Sequence, residues 1–148
     1  MTHQDVLLWI CVEIRQYIRS KGGKCKVIPA PFGVFLNKDN KNYVEPDIVV
    51  VCDRDKLDDR GCHGAPDWVI EIVSPYSKSM DYCRKLGAYQ SAGVREYWIV
   101  DAEKETVIVY DLERDEAPKM YHFDDSVKSD VLEDFAVDFG ELKRYLEK

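Results

Sequence analysis

The chain has 148 residues and a formal net charge of −7, with 45% hydrophobic and 33% charged residues. This composition excludes a disordered chain, and the length suits one domain, so we interpret residues 1–148 as a single domain. The acidic balance argues against a protein that coats nucleic acid, because such proteins neutralise phosphates with an excess of lysine and arginine.

The cysteines and the N-terminus bear on the cellular compartment. The number of cysteines is odd and no two form a C-x-x-C pair, and the first residues lack the basic segment and cleavage site of a signal peptide. The apolar run Leu7–Val12 is too short to cross a membrane. We therefore expect a cytoplasmic protein, without membrane association, whose thiols are free and mostly buried. The cysteines are Cys11, Cys25, Cys52, Cys62 and Cys83.

The first third of the chain predicts a helix followed by short strands. Apolar residues recur at three- and four-residue steps over His3–Arg19, which indicates an amphipathic helix that ends at the following glycines. Two β-like runs, around Cys25–Ile28 and Gly33–Leu36, are separated by prolines. The polar segment Asn37–Asn42 is predicted to form a turn or hairpin tip.

The middle of the chain predicts two buried strands. The continuous β-branched run Ile48–Val51 is typical of a strand buried on both faces, and Trp68–Val73 has the same character apart from one glutamate. Between them, the charged segment Asp53–Gly64 is predicted to be a surface loop. Ser77–Ala92 is predicted to be a helix with a glycine C-cap.

The last third predicts a hairpin and a closing helix. Glu96–Val100 and Thr106–Tyr110 form two further strands, and Lys119–Phe123 adds a possible edge strand. Phe139–Leu146 is predicted to be the closing helix. The order of elements predicts an α/β protein, more specifically an α+β mixed sheet flanked by helices.

Glu71 is the most informative single residue, because it interrupts the apolar strand WVIEIV. A carboxylate buried without a partner costs several kcal/mol or shifts its pKa strongly. Two explanations are open. Glu71 is either a metal ligand, which we favour, or a carboxylate at the sheet edge that pairs with a basic residue.

Asp47 is the second candidate, because it follows Pro46 at the start of the strand Ile48–Val51. Carboxylates on adjacent strands make a hard-oxygen site suited to Mg²⁺ or Mn²⁺. Asp67 competes with Asp47, since it also follows a proline and lies four residues before Glu71. A role as a turn or capping aspartate is the alternative for Asp47.

Two further residues complete the candidate set. Lys85 lies on the helix after the strand of Glu71, where its amine is able to stabilise charge on a phosphate, although most lysines on helices are simply solvated. Glu13 borders the apolar face of the first helix, and a flanking surface charge is the alternative explanation for it.

Taken in order and spacing, a series of motifs over nearly the whole chain resembles the Uma-type (Uma two) family of restriction endonucleases, placed in the PD-(D/E)xK nuclease superfamily. Each motif alone is weak evidence, and the series is specific. The motifs are Pro46-Asp47-Ile48-Val49-Val50, then Gly64-Ala65-Pro66-Asp67-Trp68-Val69-Ile70-Glu71-Ile72-Val73-Ser74-Pro75, then Asp81, Lys85 and Tyr89, and finally Gly93-Val94-Arg95-Glu96-Tyr97-Trp98-Ile99-Val100-Asp101.

The resemblance implies a restriction-endonuclease-like fold and metal-dependent phosphodiester hydrolysis. We expect DNA as the substrate, and a homodimer because nuclease-like folds often pair two sites to cut two strands. The resemblance implies that Asp47, Glu71 and the carbonyl of Ile72 bind Mg²⁺ or Mn²⁺. The superfamily pattern has a lysine two residues after the glutamate, where this chain has Val73, and the family's helical lysine matches Lys85. It also implies a catalytic role for Glu13. The alternative is an inactive nucleic-acid-binding or regulatory module on the same fold.

Overall fold

A mixed sheet lies at the centre of the protein. The structure is a computed structural model that describes residues 2–38, 41–73 and 79–148. Within these ranges the central sheet has six strands, and only its two middle ones are parallel to each other. In spatial order, numbered along the chain, they are β1 (Lys26–Pro29), β4 (Ile48–Val51), β7 (Trp68–Ile72), β8 (Glu96–Asp101), β9 (Thr106–Asp111) and β10 (Lys119–His122).

Helices and two smaller sheets cover both faces of the central sheet. One face packs against the first and third helices and a two-stranded sheet, and the other packs against the second helix and a four-stranded sheet. The covering elements are α1 (Thr2–Lys21), α2 (Ser79–Ala92), α3 (Phe139–Leu146), the pair β11 (Ser126–Ser129) and β12 (Phe135–Asp138), and the four strands β3 (Tyr43–Val44), β2 (Val34–Phe35), β6 (Gly61–His63) and β5 (Leu57–Asp58).

The central strands are buried as the β-branched runs predict. Every residue of β4 and β7 is buried, because apolar layers cover both faces of the sheet. Trp68 and Trp98 pack edge to face, with ring centroids 4.8 Å apart. The predicted mixed sheet flanked by helices is confirmed. None of the helices within the described ranges combines the length and the apolar character needed to cross a membrane.

Short elements with distant partners differ from the prediction. Asp53–Gly64 is not simply a surface loop, because β6 within it pairs in parallel with β2 and Cys62 is fully buried. The pair β11 and β12 was not predicted, since alternation over four residues is too brief a signal. The start predicted for the second helix, at Ser77, lies outside the described residues.

The prediction that all thiols are free is wrong for one pair. Cys25 and Cys52 form a disulfide with an S–S distance of 2.08 Å. The antiparallel register pairs Lys26 with Val51, and one step further along it brings the two cysteines opposite each other. This pairing depends on sheet register, which cysteine spacing does not reveal. The remaining cysteines, Cys11, Cys62 and Cys83, are free thiols.

Candidate active site

The two predicted carboxylates meet at one end of the central sheet. The antiparallel register pairs Ile48 of β4 with Ile70 of β7, and one step further along it places Asp47 opposite Glu71. The Oδ2 atom of Asp47 accepts a hydrogen bond of 2.7 Å from the backbone N–H of Ile72, which fixes the Asp47 carboxylate against β7. The charge on Asp47 contributes to raising the pKa of Glu71, as expected for neighbouring carboxylates.

Glu71 is a buried carboxyl group that retains polar partners. The residue is 5% exposed. Burial raises its pKa from 4.5 to about 7, while the nearby Lys85 ammonium opposes that rise. The hydroxyl of Tyr89 donates a hydrogen bond of 3.0 Å to Oε1, and the Nζ atom of Lys85 lies 3.6 Å from Oε2. Each carboxylate oxygen therefore has a partner on α2.

Lys85 reaches the site from the helix and not from the strand. Alternation along β7 directs Glu71 to the face on which α2 packs, so a side chain of α2 is able to approach it. The Lys85 side chain is 37% exposed, so its ammonium contacts both the buried carboxylate and solvent. Val73, at the lysine position of the superfamily pattern, packs instead against the apolar cluster of that face.

Two residues at the site were not predicted as site residues. Tyr89 is fully buried, and burial and the charge of Glu71 raise its pKa, so the phenol stays protonated as a donor. Tyr89 follows Lys85 by four residues, so helical periodicity alone places both on one face of α2. His3, in the first turn of α1, has its Nε2 atom 3.5 Å from Oδ2 of Asp47. Nothing in the sequence signals that contact, because it arises from packing between distant segments.

The structure does not bring Glu13 to this site. Glu13 lies ten residues beyond His3 on α1, which corresponds to about 15 Å along a helix axis. Its pKa is raised first by burial and then by the charges of Glu141 and Asp138, at the start of α3. The charges that act on Glu13 are therefore those at the start of α3, and Asp47 is not among them.

Asp67 takes a structural position at the other end of β7. Its Oδ1 atom accepts a hydrogen bond of 2.8 Å from the backbone N–H of Cys52, and its Oδ2 atom lies 3.3 Å from Arg95. Arg95 also pairs with Glu113 at 3.0 Å. The geometry therefore favours Asp47 over Asp67 as the partner of Glu71.

Replacing Asp67 by alanine is expected to lower the free energy of unfolding by about 1–3 kcal/mol, because the Cys52 N–H and Arg95 lose their acceptor. Metal affinity is expected to remain that of the wild type. Urea unfolding and calorimetric titration with Mg²⁺ measure the two quantities. A folded Asp67→Ala protein without metal affinity would instead identify Asp67 as the motif aspartate.

The donor set at the site suits a hard cation. In the part of the chain that the structure describes, no three His, Cys, Asp or Glu side chains gather as a metal cluster. Mg²⁺ characteristically takes one or two protein carboxylates and keeps several waters, whereas a structural zinc site needs four protein ligands. Asp47 and Glu71 offer carboxylate oxygens, the ligand type that Mg²⁺ and Mn²⁺ prefer.

Comparisons with known proteins identify the family of the chain. The model of the Uma2 family, described as "Putative restriction endonuclease", matches residues 1–140. The chain belongs to the Uma2 family. This membership confirms the resemblance drawn from the motifs, and by its description the family is one of nucleases.

The fold of this chain is also seen in a solved structure. A crystal structure of a protein from Anabaena variabilis ATCC 29413, described as a "putative nuclease belonging to DUF820", matches with a TM-score of 0.81 and 18% identity. The match covers 99% of this chain and 82% of that chain, and it shows a shared fold. A comparison with curated proteins found no match.

Proposed function

We propose that this Uma2 protein is a Mg²⁺-dependent endonuclease that hydrolyses phosphodiester bonds in DNA. One observation carries the proposal: the buried Glu71 lies opposite Asp47 and 3.6 Å from the ammonium group of Lys85. Two carboxylates beside one amine are the groups needed to hold a cation and to stabilise a phosphate. The family description supports the reaction class.

The protonation state of Glu71 is expected to respond to a bound cation. Because its pKa is about 7, a substantial fraction of Glu71 is protonated at neutral pH in the metal-free protein. A divalent ion stabilises the charged form and therefore favours ionised Glu71. We propose Asp47, Glu71 and the carbonyl of Ile72 as the ligands of Mg²⁺, with Mn²⁺ as the substitute.

The residues of the chain then have distinct roles. When bound, the ion supplies Lewis-acid stabilisation of negative charge and a water of lowered pKa. The N–H of Ile72 orients Asp47 and the hydroxyl of Tyr89 orients Glu71, so both carboxylates are held before substrate arrives. The ammonium of Lys85, partly open to solvent, stabilises the charge that develops on the phosphate.

The assembly and the compartment follow from the substrate. We propose a homodimer, because cutting both strands of DNA requires two sites, and the edge strand β10 exposes Met120 (59%) as a contact for a second copy. DNA as the substrate implies the cytoplasm as the compartment of the protein.

The test combines metal binding with plasmid nicking on the same samples of wild type, Glu71→Ala and Glu103→Ala, the last being an exposed acidic control. Wild type and the control are expected to bind Mg²⁺ and to nick plasmid DNA only with metal, and Glu71→Ala is expected to lose both properties. A wild type that binds neither Mg²⁺ nor Mn²⁺ contradicts the proposal and leaves a non-catalytic binding or regulatory module.

A further inference from the structure

A strongly basic stretch stands out in this acidic chain. Residues 14–38 contain six lysines and arginines and no aspartate or glutamate, whereas the whole chain has 28 acidic and 21 basic residues. The proposed active site does not use these cations. They are Arg15, Arg19, Lys21, Lys24, Lys26 and Lys38.

A groove between α1 and β1 collects several of these cations. It has a volume of about 850 Å³, and no acidic residue is among its described lining residues. Arg15 and Arg19 lie one helical turn apart on α1, so they share one face. Lys26 enters from β1, and Arg54 from the turn after β4.

The charges in the groove are available to a ligand. Arg15, Arg19 and Lys26 are exposed, and within the described ranges none of the three forms an ion pair. Arg95, by contrast, is occupied by Asp67 and Glu113. The open positive charge therefore lies at the groove and not around Arg95.

Contacts between distant segments hold the rim of the groove in place. The Nε atom of Arg54 donates a hydrogen bond of 2.7 Å to the carbonyl of Lys24. Two residues before Arg54, Cys52 is bonded to Cys25, which also lines the groove. The cations thus come from three segments fixed against one another, which distinguishes the groove from a solvated helix face.

The groove runs along β1, the edge strand of the central sheet. β1 pairs with β4, and Asp47 directly precedes β4. Pro29, at the end of β1, lines the groove. The next residue, Ala30, donates its N–H to the carbonyl of Asp47 at 2.8 Å. The end of the groove at Pro29 therefore adjoins the backbone of Asp47, whereas Arg15 and Arg19 lie further along α1 from His3 than Glu13 does.

We propose that this groove binds the phosphate backbone of duplex DNA. Guanidinium groups bind phosphate oxygens through two parallel hydrogen bonds, and such contacts position a duplex without reading its sequence. They also oppose the repulsion expected from the net charge of −7. The choice of DNA as the polyanion rests on the proposed nuclease function.

The test measures binding of a short fluorescent DNA duplex by anisotropy in EDTA, so neither metal binding nor cleavage contributes. The Arg15→Ala/Arg19→Ala variant is compared with Lys104→Ala/Lys128→Ala, which removes the same charge from exposed positions outside the groove. The groove variant is expected to raise Kd about tenfold. The slope of log K against log salt concentration is expected to become shallower by the amount that about two phosphate contacts contribute, while the control stays near wild type.

The outcomes separate this proposal from the proposed function. Equal affinities for the groove and control variants, or no duplex binding by the wild type at low salt, would overturn the groove proposal. Circular dichroism verifies that both variants are folded. Loss of binding confined to the groove variant supports the proposal even where plasmid nicking fails, because nicking is measured separately and with metal.

Discussion

Replacing Glu71 by glutamine is expected to lower metal-dependent nicking about 10³-fold, the size of effect seen when a group that stabilises a transition state is removed. Glutamine keeps the shape of the side chain and an oxygen that accepts from Tyr89. It has no negative charge for a divalent ion or for the ammonium of Lys85. Catalysis and metal binding are therefore expected to fail while the fold persists.

The same substitution is expected to stabilise the metal-free protein above neutral pH. The pKa of Glu71 rises from 4.5 to about 7 on folding, so the folded protein binds this proton more tightly than the unfolded chain does. The resulting stability is complete below pH 4.5 and is lost as the pH rises through about 7, a change of about 3 kcal/mol. Glutamine does not titrate, so the variant keeps that stability.

Urea unfolding in EDTA at pH 5 and pH 8 measures this difference. The variant is expected to exceed wild type at pH 8 by up to about 3 kcal/mol and to differ little near pH 5. For the nicking assay, Glu96→Gln is the matched control, because Glu96 is another buried carboxylate (3% exposed) that is expected to have no part in nicking. If Glu71→Gln is less stable than wild type at pH 8, burial of the Glu71 charge is not costly and the argument for a cation weakens.

Features of the fold and the site that depend on a short stretch of sequence could be predicted from that stretch alone. Ile48–Val51 is apolar throughout, and this alone predicts a strand covered on both faces. A glutamate within an apolar strand needs a partner, and this need identified Glu71 before any contact was known. Pro46 marked the start of the strand that carries Asp47, and the register then explains why the two carboxylates face each other.

The remaining features depend on how distant segments pack. The contact of His3 with Asp47 and the bond between Cys25 and Cys52 join segments whose spacing in the sequence carries no signal. Glu13 has the amphipathic position expected of a site residue, yet the charges that act on it are those of Glu141 and Asp138 at the start of α3. Whether a lysine on a helix reaches a carboxylate on a strand likewise depends on the distance between the helix and the sheet and on the rotamer of the lysine side chain.

Replacing Lys85 by methionine is expected to slow nicking about 10²-fold, because it removes the ammonium that stabilises charge on the phosphate. Methionine retains the apolar stem beside Tyr82, over whose ring the Lys85 amine lies at 5.7 Å. The Lys85 charge lowers the pKa of Glu71, so its removal is expected to shift the pH dependence of Mg²⁺ binding to higher pH. Nicking rates and calorimetry over a pH series measure both effects.

Arg84→Met is the matched control, since Arg84 is an exposed neighbour on the same helix. It is expected to behave as wild type in both measurements. Lys85→Arg is expected to recover part of the nicking rate, because it restores the charge with a different geometry. If Lys85→Met and Arg84→Met nick at the same rate, the amine has no part in catalysis.

The double variant Val73→Lys/Lys85→Met moves the amine from α2 to β7. It tests whether catalysis needs an amine that comes from the helix or accepts one from the strand. Val73 is half-buried, two residues after Glu71, and therefore on the same face of the strand. A lysine there matches the superfamily pattern and approaches the carboxylates from β7. Recovery of nicking relative to Lys85→Met would show that α2 supplies an amine that the strand can also supply. If nicking is not recovered while Mg²⁺ binding is intact, catalysis requires the amine to come from α2, where Lys85 and Tyr89 both contact Glu71.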